Sequence, residues 1–209
     1  MSPSSEKMRP AKQKRSEISQ NKILDAAAIL FAEKGYSKTH VSDIIKLSGV
    51  STGSFYHGFK DKMAVFFVLL EKYVDESNEI IASYDFSKDT HANLRELFLY
   101  LTETGSERAR KSRGFLMAAN EVSIDQQYVW DRMRDLTKYL CDRAAENVDD
   151  YASEITCDAP KEGMRRAVQL MISVLVNNEI HPAVYIPTNQ ADKVSMLADA
   201  MLGIVRPHS

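Results

Sequence analysis

Long stretches of this chain contain no residue that would end a helix. Its 209 residues include only 8 Gly and 6 Pro, whereas an all-β chain needs a turn signal every ~8 to 12 residues. Between these breaks the apolar residues recur at the spacing of an amphipathic helix. The sequence therefore predicts an all-α fold, and its hydrophobic fraction of 44% suffices for a buried core.

Charge is distributed unevenly along the chain. Residues 1–73 contain 12 Lys and Arg against 7 Asp and Glu, and residues 74–209 contain 15 against 22. The net charge is thus +5 in the first segment and −7 in the second, which together make the −2 of the whole chain. This asymmetry indicates that the first segment contacts a polyanion and that the second does not.

Several classes of protein are disfavoured by what the sequence lacks. No apolar run has the ~18 residues that a membrane span needs, and residues 1–15 lack the apolar stretch of a signal peptide. We therefore expect a cytoplasmic protein with no membrane partner. Cys141 and Cys157 fit neither a disulfide scaffold nor a zinc site, so we expect no metal and no cofactor. The chain has no GxSxG, HExxH or glycine-rich phosphate loop, so we predict no catalytic residues and no enzyme activity.

The first segment is predicted to contain an arm and four helices. Residues 1–15 are basic and show no apolar periodicity, which predicts a flexible arm. The predicted N-caps of the four helices are Ser16, Thr39, Ser51 and Asp61. The first three helices are predicted to end at or near Gly35, Gly49 and Gly58.

The second and third predicted helices form a helix-turn-helix pattern. Gly49 permits the sharp turn, while Ile44 and Val50 fill the space between the two helices. In such a motif the second helix presents its first side chains to base edges in the major groove of DNA. The exposed candidates for this contact are Ser51, Thr52, Gly53 and Ser54.

Residues 31–66, FAEKGYSKTHVSDIIKLSGVSTGSFYHGFKDKMAVF, resemble the DNA-binding segment of the TetR family of bacterial transcription regulators. The positions that match the family spacing are Phe31, Gly35, Tyr36, Thr39, Val41, Ile44, Gly49, Val50, Ser51, Phe55, Tyr56, Phe59 and Lys62. Gly58 departs from the pattern, because an aromatic residue or His is common there in the family.

The resemblance implies a DNA-contacting role for several residues. Thr39 matches a capping position that touches a phosphate, and Lys62 matches a phosphate-contacting lysine. Tyr56 and His57 match positions that contact the DNA backbone, and residues 51–54 match the turn nearest the bases. Two other interpretations stay open: Thr39 and Ser51 as ordinary helix caps, and Tyr56 as a half-buried packing residue.

The resemblance also implies a larger C-terminal helical domain, residues 74–209, joined to the DNA-binding domain of residues 16–73 by a shared fourth helix. In the family the last two long helices pair across a two-fold axis. The wide apolar arcs near residues 164–178 and 192–205 therefore predict a homodimer, and the alternative is that these arcs form only the core of a monomer.

This C-terminal domain is expected to hold a small-molecule effector of unknown identity. The candidate ligand-binding residues are Phe98, Phe115, Met117, Asn120, Trp130, Met133, Met171 and Tyr185. The seven apolar and aromatic candidates could each be an ordinary core residue instead, and Asn120 could face solvent. Glu121 and Asn178 are polar residues on apolar helices that could orient a ligand or face solvent.

Together these features predict a ligand-responsive transcription regulator. We expect a repressor that binds a near-palindromic DNA operator as a homodimer and is released by a small molecule. Three alternatives stay open: a regulator that activates or works without ligand, a helical enzyme that uses an apolar cavity, and a helical adaptor whose helix-turn-helix contacts protein.

Overall fold

The computed structural model describes residues 8–206, and within that range every regular element is a helix. The helices are α1 (Met8–Lys34), α2 (Val41–Ser48), α3 (Thr52–Gly58), α4 (Lys62–Ser83), α5 (Leu94–Lys111), α6 (Arg113–Ser123), α7 (Gln127–Glu146), α8 (Pro160–Ile180) and α9 (Gln190–Val205). A short 3-10 helix, Val148–Glu154, follows α7. The predicted all-α fold is confirmed. None of the helices in residues 8–206 is both long enough and apolar enough to cross a bilayer.

Helix α1 begins earlier than predicted. It starts at Met8 instead of Ser16, so the predicted flexible arm is wrong for residues 8–15, while residues 1–7 lie outside the described part of the chain. Residues 11–15 are Ala, Lys, Gln, Lys and Arg, all strong helix formers.

The predicted helix ends are largely as expected. Gly35 and Gly49 adopt positive φ angles of 83° and 68°, and their N–H groups donate to the carbonyls of Phe31 and Ile45. Ser51 caps α3 by accepting a hydrogen bond from the Ser54 N–H at 3.1 Å. Asp61 caps α4 in the same way, through the Ala64 N–H at 2.8 Å.

Two buried apolar clusters form the core. The first joins α1–α4 and extends to Ala118, Ala119 and Val122 on α6 and to Val129 on α7. The second joins α5, α7, α8 and α9. Since α4 runs unbroken from Lys62 to Ser83, a boundary between residues 73 and 74 falls within a helix that both parts share.

The apolar arcs of α8 and α9 serve mainly the core of this chain. The buried members of these arcs are Met164, Ala167, Val168, Met171, Leu175, Val194, Leu197, Ala198, Met201 and Val205. Their burial within one chain means that they cannot supply a contact with a second copy. Periodicity predicted this apolar face, but it could not separate internal packing from dimer contact.

Candidate nucleic-acid interface and effector cavity

The helix-turn-helix is anchored from within and exposed at its turn. Ile44 on α2 and Phe55 on α3 are both fully buried in the first apolar cluster. The residues at the start of α3, Ser51, Thr52, Gly53 and Ser54, are all exposed. Because the anchors fix α3 while its first turn stays at the surface, the four residues predicted to face base edges are available for contact.

Tyr56 and His57 follow on the same short helix and are also exposed. Tyr56 keeps 57% of its surface accessible, and its ring lies nearly perpendicular to that of Phe55 with centroids 5.3 Å apart. Its hydroxyl forms no hydrogen bond to any residue in the described range 8–206. Tyr56 is therefore not the half-buried packing residue of the alternative interpretation, and its hydroxyl is free to reach a DNA phosphate.

Thr39 does not occupy the surface position that was predicted. Its side chain is fully buried, and its hydroxyl donates to the Gly35 carbonyl at 2.8 Å. The N-cap of α2 is His40, whose N–H donates to an Asp43 carboxylate oxygen at 3.0 Å. The predicted cap is wrong, and a buried hydroxyl that closes the turn after α1 does not support the predicted phosphate contact of Thr39.

Lys62 is also engaged within the protein. Its ammonium donates to the carbonyls of Tyr36 and Thr39 at 2.6 and 2.8 Å and lies 4.1 Å from the centre of the Tyr36 ring. Burial lowers the pKa of Lys62, and Lys34 lowers it further, although Glu121 acts in the opposite direction. Lys62 therefore positions the loop of residues 35–40, and this geometry does not support the predicted phosphate contact.

Glu121 connects α6 to this same loop, a role that the sequence did not reveal. Its carboxylate accepts hydrogen bonds from the Ser37 N–H at 2.8 Å and the Ser37 hydroxyl at 2.6 Å. Burial acts to raise the pKa of Glu121, but the hydrogen bonds from Ser37 and the Tyr36 backbone, together with the charge of Lys62, outweigh it and leave the pKa below its usual value. Glu121 thus faces the DNA-binding segment instead of a ligand. Asn178 accepts the Ala183 N–H and holds the turn after α8.

Three further lysines of the DNA-binding segment are exposed. Lys38, Lys46 and Lys60 form no ion pair with any residue in the described part of the chain, whereas Lys34 pairs with Asp43 at 2.6 Å. The positive net charge of residues 1–73 signalled such groups without identifying them. Their free ammonium groups suit contact with phosphate oxygens.

A cavity of about 470 Å³ lies between α4, α5, α6, α7 and α8, with a mostly apolar lining. Four of the eight predicted ligand residues line it: Asn120, Trp130, Met133 and Met171. Trp130 is 53% exposed although it lines the cavity. A volume in this range suits a small organic ligand.

The other four predicted ligand residues do not line the cavity. Phe98 is fully buried in the second cluster, and Tyr185 is 95% exposed in the loop after α8. Phe115 stacks on Tyr73 with ring centroids 4.3 Å apart, and Met117 is partly buried on α6 outside the lining. Apolar residue types alone cannot distinguish a cavity wall from a filled core, because both need the same side chains.

Arg108 lines the cavity and was not predicted. The sequence did contain an indication of this position: Arg108 follows Leu101 by seven residues, which is two helical turns, and so lies on the buried face of α5. Ser77 and Tyr73 on α4 lie beside it, and Arg108 donates to the Ser77 hydroxyl at 2.7 Å. A charged residue at an apolar-face position is the pattern that would have identified it.

Both cysteines are free thiols. Burial, with a smaller effect from Asp142, raises the pKa of Cys141 to about 11, so this thiol stays neutral at physiological pH. Within residues 8–206, no group of His, Cys, Asp and Glu side chains is arranged to hold a metal ion.

Comparison with known proteins places these features in a family. Residues 23–69 match the family model of bacterial regulatory proteins of the tetR family. The chain is 33% identical over 144 residues to the transcriptional regulator AcrR of Shigella flexneri, a match that spans 67% of this chain and 66%, just under two thirds, of that protein. It is 44% identical over 160 residues to the transcriptional repressor Rv1474c of Mycobacterium tuberculosis, which covers 74% of this chain and 78% of that protein.

The fold is shared with solved structures. A bacterial regulatory protein of the tetR family from Rhodococcus RHA1 superposes with a TM-score of 0.67 over 90% of this chain and 96% of that one, at 16% identity. The helix-turn-helix, the family match at residues 23–69 and the extent of identity to the mycobacterial repressor agree. The chain belongs to the TetR family of bacterial transcription regulators.

Proposed function

We propose that this regulator is a repressor that binds a near-palindromic DNA operator as a homodimer and leaves it when a small molecule binds. The observation that carries the proposal is the exposed start of α3, where residues 51–54 stand at the surface while Phe55 anchors the helix. Small polar side chains at this point let the backbone approach base edges.

Contacts with the DNA backbone would come from the side chains around this turn. Tyr56 and His57 offer a hydroxyl and an imidazole, and Lys38, Lys46 and Lys60 offer unpaired ammonium groups. Hydrogen bonds and ion pairs to phosphates set the orientation of the protein on DNA, whereas base contacts set its sequence preference. The two kinds of residue therefore differ in the experiment that detects them.

Selection of bound sequences from random DNA with the purified protein tests the proposal. We expect a near-palindromic site to be enriched. Tyr56→Phe should weaken binding to this site and to its single-base variants alike, by roughly three- to tenfold, because it removes one hydrogen bond. Thr52→Ala should change the order in which the protein prefers the single-base variants of this DNA site.

Tyr185→Phe is the matched control, since Tyr185 is an exposed tyrosine far along the chain from the helix-turn-helix, and it should bind DNA as the parent does. Enrichment of no palindromic sequence would refute the repressor function. Unchanged affinity in Tyr56→Phe would remove Tyr56 from the interface.

Dimer formation would use the faces of α8 and α9 that are not buried in the core of the chain. Leu170 on α8 is 37% exposed, and Ala200 and Gly203 on α9 are exposed. Small residues on α9 allow a second helix to pack closely. A two-fold dimer would place two copies of α3 about 34–36 Å apart, in successive major grooves.

Ala200→Arg is expected to shift the protein from dimer to monomer at micromolar concentration, because a charged side chain would be buried at the centre of this interface. Light scattering measures the change in mass. Ala28→Arg, an exposed alanine on α1, is the control and should remain dimeric. A monomeric parent protein, or a dimeric Ala200→Arg variant, would contradict the proposed interface.

Release by a small molecule would act through α6. Asn120 on this helix lines the cavity, and the next residue, Glu121, holds Ser37 in the loop before α2. A ligand that binds one arrangement of these helices more tightly than another shifts the population toward it. The contact between Glu121 and Ser37 supports a link between the cavity and the DNA-binding segment.

A further inference from the structure

Arg108 and Arg134 are the charged side chains among the described residues that line the cavity, and no described carboxylate lines it. Arg134 is mostly exposed and already pairs with Asp131 at 3.2 Å. The remaining wall is largely apolar, with scattered hydroxyl and amide groups. The cavity therefore combines an apolar interior with one partly buried positive charge, that of Arg108.

The guanidinium of Arg108 is held in place without being neutralised. One terminal nitrogen donates to the Ser77 hydroxyl at 2.7 Å and, at 3.5 Å, to the Tyr73 carbonyl. The group lies 4.9 Å from the centre of the Tyr73 ring. Its Nε is buried and has no hydrogen-bond partner, and no described carboxylate forms an ion pair with it. The other terminal nitrogen, Nη1, forms no hydrogen bond to a described residue and is not enclosed, so a donor remains available on a group that is already oriented.

Other partly buried arginines in residues 8–206 have a compensating partner. Arg132, Arg165 and Arg206 pair with carboxylates. Arg143 also has an unpartnered Nε, but it donates to carbonyls at the C-terminal end of α4, where the helix dipole is negative. Arg108 lies in the last turn of α5, but its guanidinium contacts a hydroxyl and an aromatic ring on α4 and no described carboxylate. A partly buried cation without an anion is costly, and the anion that the described residues do not supply can come from a ligand.

We propose that the cavity takes an amphipathic organic anion, with an apolar body among α4–α8 and a carboxylate or similar group paired with Arg108. An arginine fork matches a carboxylate in shape and charge, and a charge-assisted hydrogen bond strengthens where water is excluded. That this anion is the effector rests on the proposed function, whereas its binding to the cavity can be measured without DNA.

Calorimetry with the purified full-length protein, without DNA, tests this assignment. The probes are dodecanoate, dodecanol and dodecylammonium, which share one apolar chain and differ in charge, and naphthoate, which replaces the chain by a ring. We expect dodecanoate to bind at least tenfold more tightly than dodecanol, and dodecylammonium to bind weakest. Comparison of dodecanoate with naphthoate separates chain acids from ring acids.

Arg108→Gln should lose at least tenfold in affinity for the anion and keep its affinity for dodecanol. Arg143→Gln is the matched control, because it also removes an arginine with an unpartnered Nε but lies outside the cavity lining; its preference for the anion should be unchanged. Arg108→Lys keeps the charge and should keep most of the preference, which covers the case of a poorly folded Arg108→Gln.

Equal binding of dodecanoate and dodecanol by the parent, an unchanged preference in Arg108→Gln, or no binding of either carboxylate would overturn the proposal. Release of the selected DNA by the bound acid is measured separately. Anion binding with no DNA binding would leave this inference intact while the proposed function fails.

Discussion

Replacing Gly114 by alanine is expected to lower the free energy of unfolding by about 1–3 kcal/mol, the usual cost of overpacking. An added Cβ would lie 2.2 Å from the Ala32 Cβ and 2.5 Å from the Ala32 Cα. Since one of these atoms belongs to the backbone of α1, no change of rotamer relieves the clash, and α1 and α6 must move apart. Because α1 leads directly into the loop before α2, binding to DNA should weaken as well.

Urea unfolding followed by circular dichroism measures this change, at one protein concentration because a dimer's stability depends on it. Gly58→Ala is the control. Its added Cβ would approach only the side chain of Gln20, at 3.3 Å, and this long side chain can turn away. We expect its effect to stay under about 1 kcal/mol. If Gly114→Ala were as stable as the parent and bound DNA with the same affinity, then the contact between α1 and α6 would not constrain either helix.

Lys62→Met is expected to lower the free energy of unfolding by about 1.5–3 kcal/mol, because it removes charged hydrogen bonds to two carbonyls. The Thr39 carbonyl then loses the ammonium group that it accepts from. The loop of residues 35–40 should loosen and DNA affinity should fall. The salt dependence of binding should keep its slope, however, because the ammonium of Lys62 is used inside the protein. Loss of a phosphate contact would instead flatten that slope by about one unit.

Lys60→Met provides the comparison for this experiment. Lys60 is exposed and forms no ion pair with any described residue, so its loss should leave unfolding within about 0.5 kcal/mol of the parent. If Lys60 contacts a phosphate, the salt slope of this variant should flatten. If Lys62→Met is as stable as the parent and the salt dependence of its DNA binding is flatter, then Lys62 contacts a phosphate, as the sequence resemblance implied.

Much of the DNA-binding segment could be predicted because its signals are local. The glycines at positions 35 and 49 adopt the positive φ angles that end their helices, and Ser51 and Asp61 cap the helices that follow. Each of these features depends on a few neighbouring residues. The start of α1 was missed because basic residues suggested an arm, although Lys, Arg and Gln are also good helix formers.

The cavity was harder to predict, because its residues come from five helices. Met133 and Met171 line it, while Phe98, of equal apolar character, fills the core beside it. Thr39 and Lys62 matched the family pattern by type and spacing, yet both bind carbonyl groups of the loop between α1 and α2. A residue that matches the family pattern in type and spacing does not reveal which group its polar side chain binds.

The sequence by itself determined the helices, the helix-turn-helix and the charge difference between the two parts of the chain, because periodicity, capping and composition are properties of short segments. Only the tertiary structure decided that Gly114 meets Ala32, that Glu121 holds Ser37, and that Arg108 faces a cavity lined by no described carboxylate. These contacts join residues far apart in the chain, so they depend on how whole helices pack and on which polar groups that packing leaves without a partner.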